Sequence, residues 1–158
     1  MKKDNLFSNS KLDDVVLQEM QCKKIKAPGK GAILAIQIFF DLKLGEIKTK
    51  KSFGALMSIK IKCNEDGKNE EERLFSLLYN IKAKYLTSKT KTVIQKKLYE
   101  ETPLFINELY LFTREDINNA LNKMKIKFQL PYSIPGEIKI VSEPPKKEKT
   151  KTKTKTKK

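Results

Sequence analysis

A chain of 158 residues with 39% hydrophobic content has apolar material for one core, and it carries no histidine. The missing imidazole excludes Ser-His and Cys-His nucleophile pairs and most transition-metal chemistry, and the two cysteines, Cys22 and Cys63, cannot complete a Cys/His zinc pattern. A formal charge of +15, from 34 basic against 19 acidic residues, makes attraction to polyanions the strongest global expectation.

The longest apolar run, residues 31–40, is interrupted by Gln37 and is too short to span a bilayer. No apolar stretch follows the polar residues 1–5, so a cytoplasmic protein with two buried, reduced thiols and no membrane insertion is expected. Residues 1–11 surround an isolated Leu6-Phe7 pair with polar side chains and read as a flexible arm ahead of a single globular domain over 12–143. Leu12, Val15, Val16 and Met20 recur at helical spacing, which predicts a short helix over 12–20. Lys23, Lys24, Lys26 and Lys30 then surround Pro28-Gly29, either a solvated connector or a loop that contacts phosphate.

From Leu34 the period drops to two. Leu34, Ile36, Ile38, Phe40, Leu42 and Leu44 share one face of a predicted strand. Gly45-Glu46 signals a turn, 47–53 reads as a returning strand, and Met57, Ile59, Ile61 and Cys63 mark another. The polar face of this antiparallel meander shows Lys48, Lys50, Lys60 and Lys62.

Asn69 and Glu72 have capping-box spacing, and Leu74, Leu77, Leu78, Ile81 and Tyr85 form a helical stripe, so a helix is predicted to lie across the meander. Val93, Ile94 and Leu98 predict a second helix, and Pro103 opens a third that carries Leu104, Phe105, Leu109 and Phe112. Thr113 is expected to cap a separate helix, with Glu115 and Asp116 in its first turn and Ile117, Ala120, Leu121 and Met124 on its apolar side. Arg114, Asn118, Asn119, Asn122 and Lys123 are left on the outer face. Ile126, Phe128 and Leu130 then alternate with Lys125, Lys127 and Gln129, and Ile138 and Ile140 resume the pattern, which predicts a two-stranded hairpin.

The elements add up to an α+β fold, an antiparallel sheet of about five strands covered by helices. The last helix and the hairpin have two readings: the helix-then-wing order of a winged-helix-like reader of nucleic acid, or an ordinary part of the α+β sheet. Residues 144–158 hold eight lysines and one glutamate, +7 of the +15, and nothing apolar, so a disordered basic tail is expected.

Asp41 with Glu46-Ile47-Lys48 resembles, in residue type, the arrangement of restriction-endonuclease-like nucleases. That resemblance implies a divalent cation that activates water for phosphodiester cleavage; solvated turn surface explains the same residues. The functional expectation is instead a non-enzymatic DNA- or RNA-binding protein without metal or cofactor. Its contacts would come from Arg114, Asn118, Asn122, Lys123, Lys125 and Lys127 on the helix-hairpin unit, and from Lys146, Lys147, Lys149, Lys151, Lys153 and Lys155 on the tail. Arg73 and Arg114 are the only arginines, which favours phosphate contact over base reading. The alternatives are a structural component of a ribonucleoprotein or viral particle, as a homo-oligomer or in a larger assembly, and behind it the nuclease. Lysine richness also follows from an AT-rich coding sequence with no binding role.

Overall fold

The computed structural model describes residues 5–27, 29–47, 51–67 and 73–134. A 3-10 turn at Phe7–Asn9 leads into strand β1 (Ser10–Lys24), followed by β2 (Leu34–Leu44), β3 (Ser52–Glu65) and β4 (Phe75–Thr87), then helices α1 (Lys91–Glu100) and α2 (Thr102–Lys123). The strands form one antiparallel sheet in the order β1-β4-β3-β2. The fold is therefore α+β with an antiparallel sheet and helices over it, as the composition of the elements suggests; among the described residues the sheet has four strands rather than five.

β2 spans the residues its alternation predicts, with Phe40 and Leu42 buried. The strand read over 57–63 lies within β3, which begins at Ser52 and so takes in only the last two residues of the strand read over 47–53; Ile47 is in no strand, and Lys48 and Lys50 lie outside the described residues. The helix predicted across 74–85 is the central strand β4. Its Phe75, Leu77, Tyr79, Ile81, Ala83 and Tyr85 alternate without a break and are all buried, and it pairs with β1 on one side and β3 on the other. Leu78, on its other face, completes a helical stripe with Leu74, Leu77, Ile81 and Tyr85, and two ladders of backbone hydrogen bonds decide for the strand. The capping pair Asn69 and Glu72 lies outside the described residues.

The helix predicted over 12–20 is also a strand. In β1 the residues that face the helices are Leu12, Val15, Leu17, Met20 and Cys22, opposite Tyr85, Ala83, Ile81, Tyr79 and Leu77 of β4. The register shifts between Leu12 and Asp14 and between Leu17 and Glu19. Each irregularity adds one residue, so a period of two becomes steps of three and two, which imitates helical spacing. Among the described residues ahead of β1, Leu6 and Phe7 are held against the rest of the fold. Leu6 is fully buried, its N–H and that of Phe7 donate to the Glu101 carboxylate at 3.1 and 2.8 Å, and the Phe7 ring meets Phe105 edge-on at 5.1 Å.

α1 forms where the apolar spacing predicts, with Ile94 and Leu98 in the core. The two helices expected on either side of Thr113 are one: the Thr113 hydroxyl, mid-helix and buried, donates to the Tyr110 carbonyl instead of capping an end. α2 lies over the sheet, with Phe105 against Phe53 and Tyr85, Tyr110 edge-on to Phe40 at 5.8 Å, and Glu108 and Asp116 accepting hydrogen bonds from the hydroxyls of Tyr85 and Tyr79, each at 2.8 Å. Each fully buried Leu, Ile or Phe in this layer contributes about 1.5–3 kcal/mol. Among the described residues no helix is long and apolar enough to cross a membrane.

Beyond α2 the expected wing is not seen. Residues 126–130 keep the predicted alternation, with Leu130 buried and Lys125, Lys127 and Gln129 exposed, but they run as coil against α2 and pair with no strand. The Leu130 N–H donates to the side chain of Asn118. The second half of the hairpin, Ile138 and Ile140, lies outside the described residues.

Candidate functional site

The order of the strands decides which surfaces stay open. β1 and β2 are consecutive in sequence yet lie on opposite edges, so residues 25–33 must cross the ends of β4 and β3. Gly31, at φ 74°, supplies the left-handed residue this crossing needs, and the Gly29 N–H is held by Glu65 at 2.7 Å. At the other margin the helices stop short of β1, and most of that strand is solvent-exposed.

A groove of about 470 Å³ runs between β1 and the C-terminal half of α2. Leu17 and Met20 form one wall with Cys22, and Ala120 and Met124 form the other. Leu17 is 47% exposed and Met20 45%, although both point to the side of the sheet that elsewhere holds the core. Such side chains lose free energy to water at about 25 cal/mol for each Å² of apolar surface, so an apolar occupant is favoured. The polar groups of the groove are Asn119, Lys123 and Asp116, the last engaged by the Tyr79 hydroxyl. Desolvation, more than the Asp116 carboxylate, pushes the Tyr79 phenol far above its usual pKa, so it stays a donor at neutral pH. Partial burial likewise raises the Cys22 thiol.

A second hollow, about 250 Å³, lies where the 25–33 crossing meets the exit of α2. That exit is a Schellman motif: the Ile126 N–H reaches the Leu121 carbonyl at 3.0 Å, the Lys125 N–H reaches that of Asn122 at 2.9 Å, and Lys125 has a left-handed φ of 57°. The reversal turns Ile126 and Phe128 inward and leaves Lys125 and Lys127 at the rim beside Lys24 and Lys26.

Among the described residues expected to contact nucleic acid, Asn118 and Arg114 are engaged by the chain that follows α2. Asn118 is buried, with its Oδ1 bound to the Leu130 N–H. Arg114 lies over the Tyr132 ring at 3.8 Å and donates its Nε–H to the Leu130 and Pro131 carbonyls at 2.8 and 3.0 Å. Asn122 and Lys123 are exposed on the last turn of α2, with Lys125 and Lys127 just beyond, and Lys146 to Lys155 lie outside the described residues. Asp41 pairs with Lys43 at 3.2 Å on the uncovered face of the sheet, and Lys48 lies outside the described residues. Among the described residues no three acidic or cysteine side chains come close enough to hold a metal ion. Leu17, Met20 and Cys22 carried no functional expectation, and only their phase along a twice-bulged strand could have marked them.

No protein-family model matches the sequence, and no curated protein matches it. The fold does have a solved counterpart. A SecB-like chaperone of Mycobacterium tuberculosis, solved in complex with a ChAD peptide from an antitoxin, is similar over 78% of this chain and 90% of that one, with a TM-score of 0.64 and 13% identity. At that identity the likeness is one of fold. It overturns the nucleic-acid expectation for function and partner: the architecture is that of a protein solved with a peptide, and the supposed reading helix is part of α2, with Asn118 turned into the core.

Proposed function

We propose that this protein binds extended apolar stretches of polypeptide, in the manner of a chaperone, along the groove between β1 and α2. The observation that carries the reading is the pair Leu17 and Met20, each nearly half exposed on the core side of the sheet. The fold shared with a SecB-like chaperone solved with a peptide supports it. An extended segment laid in the groove would cover these side chains with its own apolar ones, and the unbranched Met20 and Met124 adapt to varied shapes. That suits an occupant defined by apolar character rather than by sequence.

The test is binding of the full chain to a fluorescent peptide with an apolar centre, followed by anisotropy. Saturable binding is expected, and Leu17→Asp with Met20→Asp should weaken it at least tenfold, since burying either carboxylate without a partner is costly. Both positions are exposed, so the double variant keeps its unfolding midpoint. Absence of binding by the parent, or equal binding by the variant, would overturn the proposal.

A further inference from the structure

The hollow at the exit of α2 has a chemistry of its own. Its floor is apolar, with Phe75, Leu74, Ile126 and Phe128, while Lys24, Lys125 and Lys127 stand around it together with Lys26. Among the described residues that line it, none is acidic. Leu34 at its margin is 41% exposed. The Lys24 ammonium donates to the Met124 carbonyl at 3.3 Å, and Met124 is also a wall of the groove along β1, so the two hollows lie on either side of this contact.

We propose that this hollow selects polypeptide segments in which an apolar side chain is flanked by carboxylates. The inference rests on the peptide-binding reading and gives that reading its substrate class: acidic-apolar segments rather than apolar segments at large. Two properties point to this occupant. A volume of about 250 Å³ with an aromatic and aliphatic floor takes one large apolar side chain, not a bulkier group. The rim supplies positive charges from Lys24, Lys125 and Lys127 that attract carboxylates, and Lys125 is held at the rim by a left-handed backbone fixed by the end of α2. Lysine offers a point charge without a planar fork, which suits carboxylates at variable positions along an extended chain.

The experiment uses three fluorescent peptides with the same Leu-Val-Phe centre, flanked on both sides by Asp, by Ser or by Lys, titrated with the full chain at low and at physiological salt. Each exposed ion pair contributes about 0.2–1 kcal/mol, so two to four of them predict that the Asp-flanked peptide binds on the order of tenfold tighter than the Ser-flanked one. The Lys-flanked peptide should bind weakest, and the spread should narrow with salt. Lys125→Gly with Lys127→Ser should reduce the Asp preference to about twofold or less, while binding of the Ser-flanked peptide persists. Glycine suits the left-handed position, so this variant stays folded.

Lys60→Ser with Lys82→Ser, an equal loss of charge on the uncovered face of the sheet, should leave the preference intact. Equal affinities for all three peptides would overturn the acidic selectivity and uphold apolar peptide binding. Loss of the preference in both double variants would assign it to the net charge of the molecule and overturn the site. An Asp preference that emerges only after Glu70→Gln, Glu71→Gln and Glu72→Gln would give the hollow to the chain's own acidic run and overturn the proposal. No binding of any peptide would overturn the underlying reading as well.

Discussion

The side-chain oxygen of Asn118 accepts the backbone N–H of Leu130 at 2.7 Å, with both residues buried. This bond ties α2 to the chain that runs back along it, and Arg114 reinforces the tie by donating to the carbonyls of Leu130 and Pro131. Truncation to Ala would leave a buried N–H unpaired. Asn118→Ala is therefore expected to cost about 1–3 kcal/mol, whereas Asn122→Ala, one turn on but exposed, should stay within about 0.5 kcal/mol. Urea unfolding midpoints of the two variants check the contrast; equal shifts would contradict it.

A second expectation concerns alkaline pH. Tyr85 and Tyr79 are buried, and desolvation, followed by their hydrogen bonds to Glu108 and Asp116, holds both phenols well above the usual tyrosine range. In the unfolded chain they ionise near the ordinary value of about 10. The folded form thus keeps protons that the unfolded form releases, so stability is whole below pH about 10 and falls as pH rises past it. Each tyrosine adds a slope of up to about 1.4 kcal/mol per pH unit. Tyr85→Phe should remove one such share and flatten the alkaline loss, at a neutral-pH cost of about 1 kcal/mol for the hydrogen bond. Unfolding free energies measured across pH 8 to 12, an interval spanning roughly two units on each side of the free phenol value, decide it.

These tyrosines also show where the sequence misleads. Tyr85 and Tyr79 alternate with Asn80, Lys82 and Lys84 in a pattern of period two, yet Leu74, Leu77, Leu78 and Ile81 mark a helical stripe in the same residues. Only the presence of two neighbouring strands resolves the conflict, and that information is not local. β2, α1 and the alternation over 126–130 were legible because one neighbour or one face sufficed. β1 was not, since bulges at two places gave a strand the spacing of a helix. The site followed the same rule. Lys125 and Lys127 are exposed as their alternation says, but nothing in the sequence brings them to Lys24, which arrives from an opposite part of the chain.

The N-terminal residues test how much of the core depends on Glu101. Its carboxylate receives the N–H groups of Leu6 and Phe7, and so replaces the pairing that a first turn without helical partners lacks. Glu101→Ala should cost about 1.5–3 kcal/mol and expose the Leu6 and Phe7 amides to fast hydrogen exchange. Leu6→Ala should cost about 2–5 kcal/mol through the cavity left in the core, where Leu6 is fully buried. If either variant unfolds at the parental midpoint, the N-terminal residues contribute nothing to the core.

Cys22 gives a direct readout of the groove without changing it. The thiol is exposed and lines the groove beside Leu17 and Met20, whereas Cys63, paired opposite Phe75 in the sheet, is buried. The native chain should therefore take up one equivalent of an alkylating reagent, and the second only on unfolding. Partial burial raises the Cys22 pKa, which lowers the reactive thiolate fraction at neutral pH, so its alkylation should be slower than that of a free cysteine and should accelerate with pH. An apolar peptide seated between β1 and α2 covers this thiol. Saturating peptide should slow the reaction of Cys22 at least severalfold and leave that of Cys63 in the unfolded chain unaffected. A rate at Cys22 indifferent to peptide that is demonstrably bound would move the peptide out of the groove, and Leu17 and Met20 would then be exposed for some other contact.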